Sequence, residues 1–191
     1  MELSEMLVGL YSKRLVKVNH SALELVCARA LVKKGYEVKV EHRLDSSHVC
    51  DVMGERGDGE LIVEIETGFI PPEAALEPAR YARSRVASKI ARYSRFAGKF
   101  ALGTTPSYVL DYPEFFIRPP STRTEAEART VKELTDFVYS RPPISIEELI
   151  NSRLHSIFVI DVDSATTSEV DPEAYRDTAS GFLGRNPAVK A

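Results

Sequence analysis

Three acidic residues, Asp51, Glu64 and Glu66, are spaced so that one β-hairpin would bring them together. Between them lies Gly54-Glu55-Arg56-Gly57-Asp58-Gly59, rich in turn-formers and flanked by strand-like runs Val49 to Met53 and Glu60 to Glu66. With Arg56 to Gly59 as a four-residue loop, Glu55 opposes Glu60, Met53 opposes Ile62 and Asp51 opposes Glu64. Cys50, Val52, Leu61, Val63 and Ile65 then point the other way. That set is wholly apolar, as a strand pair with one buried face requires. Opposed residues hold their Cβ atoms about 5 Å apart, so like charges there repel. A bound hard cation relieves the conflict, because Mg²⁺ is held by one or two carboxylates with water and phosphate oxygens. A solvated edge hairpin is the alternative reading of the same spacing.

The elements that must position these acids follow from periodicity. Residues 3 to 18 place Leu7, Leu10, Tyr11, Leu15 and Val18 on one helical face and Lys13, Arg14 and Lys17 on the other. Ser21-x-x-Glu24 reads as a capping box opening a second helix that ends at Gly35, with Leu23, Val26, Cys27, Ala30 and Leu31 buried. Tyr36 to His42 alternates like a half-buried strand. Past Pro71-Pro72 a long helix spans about 73 to 97, kinked or late-starting at Pro78, and Phe100 to Thr104 forms a fourth strand. Thr124-x-x-Glu127 and Ser145-x-x-Glu148 cap two further helices, and Ser156 to Val162 reads as a buried strand. The order, α-α-β-β-β-α-β and then α-α-β, predicts a mixed α/β fold. One domain is expected over 1–165, with a core at about 20–105, a helical extension at about 121–152 and a return strand at 156–162. Residues 166–191 read as a polar, poorly ordered tail.

Bulk properties narrow the class. At 43% hydrophobic residues the 191-residue chain can bury a real core. A net charge of -3 argues against a protein that coats nucleic acid over its whole surface. Cys27 and Cys50 show no metal-ligand spacing and read as buried thiols. No apolar run approaches the ~20 residues needed to cross a bilayer, so a cytoplasmic protein with no membrane partner is expected. The absence of Gln and the excess of Arg over Lys suggest a thermophilic source. His20, His42, His48 and His155 show no ligand or triad spacing, and Asp45 and Asp58 read as turn residues.

The run from Ser21 to Gly68 resembles the core of the PD-(D/E)xK nuclease superfamily, archaeal Holliday-junction-resolvase-like members in particular. The matches are Glu24 on a helix, Asp51 at the second strand and Glu64-Ile65-Glu66 on the third. Cys50 stands where the family name has Pro, and Glu66 stands where most members carry Lys. The resemblance covers about residues 20 to 105 and implies a restriction-endonuclease-like αβββαβ core with a mixed sheet flanked by helices. It also implies a Mg²⁺- or Mn²⁺-dependent DNA endonuclease, and leaves open structure selectivity and a homodimeric state. Asp51, Glu64 and the Ile65 carbonyl would hold the metal, and Glu66 would serve as general base or bind a second ion. Glu24 would be catalytic only if the capping box does not already account for it. In several families of this kind the missing strand lysine is replaced from the following helix, where Lys89 is the candidate.

Between Arg80 and Lys99 the chain carries Arg83, Arg85, Lys89, Arg92 and Arg95 and no acid. Arg85, Lys89 and Arg92 follow helical spacing and, with Arg95, would make a phosphate-binding stripe while Val86, Ile90 and Tyr93 face the sheet. The competing expectation is a solvated face paired with acids elsewhere. The Lys-to-Glu departure at 66 likewise leaves open a catalytically reduced module that binds nucleic acid or a protein.

Overall fold

A computed structural model of the protein describes Glu5 and residues 18–183, with side chains at Glu5 and 20–179. The expected N-terminal helix and the last eight residues lie outside them, apart from Glu5 and Val18. Helix α1 spans Val18–Lys33. It closes on Gly35, whose φ of +82 only glycine adopts cheaply. The Gly35 N–H donates to the Val32 carbonyl at 2.9 Å and the Tyr36 N–H to that of Leu31 at 3.1 Å, a Schellman cap.

Strands β1 (Glu37–Arg43), β2 (Val49–Arg56) and β3 (Gly59–Ile65) form an antiparallel meander. Arg56 pairs with Gly59, so the β2–β3 turn is tighter than the expected four residues. Gly57, at φ +58, makes the tighter turn possible. The register is nevertheless the expected one, with Glu55 opposite Glu60 and Met53 opposite Ile62.

Helix α2 spans Pro78–Tyr93 with Pro78 in its first turn, a late start because proline has no N–H to give an upstream turn. Strand β4 (Lys99–Thr104) returns parallel to β3. Helices α3 (Glu125–Asp136) and α4 (Ile146–Asn151) each carry the expected capping box. Buried Arg123 ties this extension down by donating to the carbonyls of Phe116, Arg118, Leu149, Ile150 and Ser152. Strand β5 (Ser156–Asp161) is parallel to β4.

The segment after 165 departs from expectation. Thr166–Val170 forms β6, an antiparallel edge strand, and Pro172–Leu183 forms α5. The six strands lie in the order β1-β2-β3-β4-β5-β6, a mixed sheet flanked by helices. Leu23, Val26, Cys27 and Leu31 of α1 cover one face, packing on Val52, Leu61, Val63, Ile65, Ala101 and Phe158. Val86, Ile90 and Tyr93 of α2 cover the other, with Met53, Ile62, Phe100, Leu102 and Ile157. Gly103 in β4 sits tight, since a Cβ there would lie 2.9 Å from Ile65 Cγ1. Among the described residues no helix is long and apolar enough to cross a membrane, and Cys27 and Cys50 are free thiols.

One facial assignment is corrected. Cys50 packs with Met53 and Ile62 rather than with Val52. Val40 pairs with Val52 and His42 with Cys50, but Glu41 between them takes φ +47. The strand pair is distorted at that point, opposite Asp51, so strict alternation fails there.

Candidate metal centre

The β2–β3 ladder runs as far as Val52 opposite Val63. Beyond it the side chains of the next pair continue the bonding. The Asp51 N–H donates to Glu64 Oε1 at 3.1 Å, and the Ile65 N–H donates to Asp51 Oδ2 at 2.6 Å. Asp51 and Glu64 therefore meet, as the spacing predicts, where main-chain pairing gives way. The outer edge of this pair is closed from α2. Lys89 Nζ donates to the Ile65 carbonyl at 2.7 Å and lies 3.2 Å from Glu64 Oε2, 3.5 Å from Asp51 Oδ2 and 4.0 Å from Glu66 Oε2. The expected reach of Lys89 from the following helix is thus present in the geometry.

Glu66 is buried at the same end of β3. Its Oε2 accepts from Arg85 Nε at 2.7 Å and its Oε1 from the Gly68 N–H at 3.3 Å. Glu24 departs furthest from the capping-box expectation. Helix α1 is already formed at Val18, so Ser21 lies within it and is not its N-cap. The Glu24 side chain is 0% exposed, and neither carboxylate oxygen has a hydrogen-bond partner. It lies 3.6 Å from His20 Nδ1, one turn earlier on the same helix. His20 Nε2 in turn lies 3.2 Å from the Ile65 carbonyl and 3.6 Å from Asp51 Oδ2. One ligand atom each from His20, Glu24 and Asp51 falls within 4.8 Å of the others.

The electrostatics record this crowding. Burial, reinforced by Asp51, pushes the Glu24 carboxyl up to about 8. Burial and Asp51 likewise raise Glu64 to about 8, with Lys89 opposing. Glu41 on β1 rises to about 7 for the same two reasons. Burial alone would depress Lys89, but Asp51, Glu64 and Glu66 outweigh it and hold the ammonium above the ordinary lysine range. Glu24 and Glu64 thus retain protons near neutrality while Lys89 keeps its charge.

The expected phosphate stripe divides. Arg85 and Lys89 turn into the acidic cluster. Arg92 stacks on Tyr139 at 3.8 Å, and Arg95 Nη1 bonds Glu148 Oε1 at 2.6 Å. Arg80 pairs with Glu77 and Arg83 with Asp111. A pattern of cations on one helix carries no information about acids arriving from other elements, as Glu66, Asp111 and Glu148 do. Exposed pairs such as Arg95–Glu148 contribute little and exchange readily for other anions.

Two further residues belong to the site without having been singled out as candidates. His20 shows no ligand or triad spacing with the other histidines, although its i,i+4 relation to Glu24 places both on one helical face. Glu41 gave no signal, because its approach to Asp51 depends on the distorted strand. Asp45 accepts from the N–H groups of Ser47 and His48 at 2.8 Å each, the turn role expected of it. Beside the cluster opens a groove of about 860 Å³ lined by His20, Leu23, Glu66, Gly68, Phe69 and Arg85.

No family model and no curated protein matches the sequence. Among solved structures, the chain is similar to SPO1766, a protein of unknown function from Silicibacter pomeroyi. The two share 11% identity over 88% of this chain and 92% of that one, with a TM-score of 0.38.

Proposed function

We propose that this chain is a Mg²⁺- or Mn²⁺-dependent endonuclease that hydrolyses phosphodiester bonds in DNA, built on a restriction-endonuclease-like αβββαβ core. The observation that carries the reading is the convergence of Asp51, Glu64 and the Ile65 carbonyl around Lys89 where β2 and β3 stop pairing. Order and direction of the elements α1-β1-β2-β3-α2-β4, an antiparallel meander followed by a parallel return, agree with that core.

The donor set fits a hard divalent ion, being two carboxylates and a carbonyl, all oxygen. Asp51, Glu64 and the Ile65 carbonyl would hold it, and it would supply an acidified water and charge neutralisation at phosphate. The chain's own groups do the rest. Lys89 carries a fixed positive charge to the oxygens that accumulate negative charge as the phosphodiester is attacked. Held above the ordinary lysine range, it is no base at neutral pH. Arg85 anchors Glu66 and lines the groove, which sets a second cation beside the path of an entering phosphate.

The alternative, a catalytically reduced module that binds nucleic acid or a protein, drew its support from Glu66 at the usual lysine position. Lys89 Nζ, within 4.0 Å of Glu66, Glu64 and Asp51, would supply that ammonium from α2, which favours the catalytic reading.

The test is nicking of supercoiled plasmid and cleavage of linear and branched synthetic duplexes with Mg²⁺ or Mn²⁺. The wild type should cleave only with metal. Glu64→Ala should lose at least about a hundredfold in rate while keeping a folded circular-dichroism spectrum. Undiminished cleavage by the folded variant, or none by the wild type with either ion, refutes the reading.

A further inference from the structure

We propose that His20, Glu24 and Asp51 form a second cation site, and that the imidazole makes it select a transition-metal ion such as Mn²⁺ or Co²⁺ over Mg²⁺. The proposal rests on the metal centre described above only in that Asp51 serves both sites; it does not require that the protein cleave DNA.

The geometry comes from α1 and β2. His20 and Glu24 are one helical turn apart and project from the same face toward β2. Asp51 Oδ2 lies 3.6 Å from His20 Nε2, and one ligand atom from each residue falls within 4.8 Å of the other two. Ligands of a common ion, each about 2.1 Å from it, stand about 3 to 4 Å apart. Small side-chain rotations therefore suffice.

An acidic cluster alone would carry no such inference, but Glu24 adds an independent observation. It is wholly buried, is aimed into the cluster, and has no hydrogen-bond partner on either oxygen. Leaving a buried polar group unsatisfied costs about 1–3 kcal/mol, more when it is charged. Proteins rarely tolerate this without a ligand or a catalytic reason. Ser21 does not relieve it, because it lies inside the helix and neither Glu24 oxygen accepts a hydrogen bond. Asp51 does not relieve it either, being a second acid.

Ion selectivity follows from ligand type. Asp51, Glu64 and the Ile65 carbonyl offer oxygen alone, which suits Mg²⁺. Replacing one oxygen by imidazole favours Mn²⁺, Co²⁺ or Zn²⁺, to which nitrogen binds well, over Mg²⁺, which keeps its oxygen shell. Two carboxylates and a neutral imidazole balance a divalent charge. His20 is 28% exposed in its side chain and lines the 860 Å³ groove, which gives an ion a route from solvent.

The full-length protein, stripped of metal, is titrated with Mn²⁺ and with Mg²⁺ by calorimetry, and bound Mn²⁺ is examined for ¹⁴N coupling by pulsed electron paramagnetic resonance. The wild type should bind two Mn²⁺ and show the nitrogen coupling. His20→Gln should lose the coupling and weaken one Mn²⁺ site at least about tenfold. Glu64→Gln should keep the nitrogen-coupled ion while losing the other, which separates this site from the oxygen-only one whether or not DNA is cleaved. His20→Glu should retain the second site but let Mg²⁺ compete for it. A single Mn²⁺ per chain, or two without ¹⁴N coupling, overturns the proposal even if His20→Gln fails to fold. Coupling that persists in a folded His20→Gln does so as well.

Discussion

Glu24→Gln offers a direct reading of what holds the acidic centre together. In the folded protein the Glu24 carboxyl titrates at about 8, raised from 4.5 first by burial and then by Asp51. Between those values the unfolded chain has lost its proton at this residue and the folded chain keeps it. The native state then binds more protons than the unfolded one, and stability falls as pH rises through the window. The displacement amounts to about 5 kcal/mol by pH 8.5, at about 1.36 kcal/mol per pH unit. Glu24 is fully buried, so solvent does not screen the effect.

Glutamine has the same shape and cannot ionise. At pH 5 both proteins bury an uncharged, partnerless group and should melt together. At pH 8.5 in EDTA the variant should be more stable by several kcal/mol, or about 10–20 °C in melting temperature for a chain of this size. The measurement is thermal or urea unfolding at intervals from pH 5 to 9. Mn²⁺ should narrow the gap by stabilising the wild type, which holds two ions, more than the variant, which keeps only the Asp51–Glu64 site. Parallel pH profiles for the two proteins, or a variant that loses stability at high pH, would refute the argument that Glu24 is a buried acid awaiting a cation.

Lys89→Met leaves Asp51, Glu64 and Glu66 without their shared ammonium. In EDTA at pH 8 the variant should be less stable by about 3–5 kcal/mol, with Mn²⁺ restoring part of it, while single-turnover cleavage falls at least about a hundredfold. Arg95→Ala removes an exposed pair with Glu148 and should change stability by less than about 1 kcal/mol in urea unfolding. If Arg95 exchanges Glu148 for a DNA phosphate, the salt dependence of DNA binding should lose about one unit of slope. Gly68 holds φ +76 against the Tyr108 ring, where a Cβ has no room. Gly68→Ala should therefore lower the melting temperature and perturb Glu66, which accepts from the Gly68 N–H.

The hairpin that builds the site was legible because two constraints agree on it. The apolar set Val52, Leu61, Val63 and Ile65 fixes one face, and a turn-forming stretch fixes the pairing; a turn two residues shorter left the register intact. The place of Lys89 in the site was legible only through the family resemblance, because helical spacing from the buried stripe Val86, Ile90 and Tyr93, which the structure reproduces, put it on a phosphate-binding face instead. Glu24 was obscured because Ser-x-x-Glu is satisfied as a pattern anywhere near a helix start, whereas the cap exists only where the backbone leaves the helix. The partners of Arg83, Arg85 and Arg95 come from residues 111, 66 and 148, and no local pattern announces pairs at that separation. Strand β6 was hidden for a different reason. Thr166-Thr167-Ser168-Glu169-Val170 is a mostly exposed edge strand, so it lacks the alternation that burial imposes.

The position of Lys89 joins the stability of the site to its chemistry. Its ammonium already bonds the Ile65 carbonyl and stands within 3.5 Å of Asp51 and Glu64, the same oxygens that would hold the first ion. A lysine and a divalent cation at one set of donors compete, so metal entry requires the Lys89 side chain to give up at least part of this bonding. Its long flexible stem permits that, while the acids behind it sit on paired strands and are fixed. The cluster is then a rigid acidic cradle with a mobile internal cation. On the proposed function, that cation would balance the carboxylates when no ion is bound and would be freed to meet a phosphate when one is. On this account removing the ammonium should tighten metal binding and slow cleavage in the same protein. A lysine that merely braced the fold would not separate those two effects.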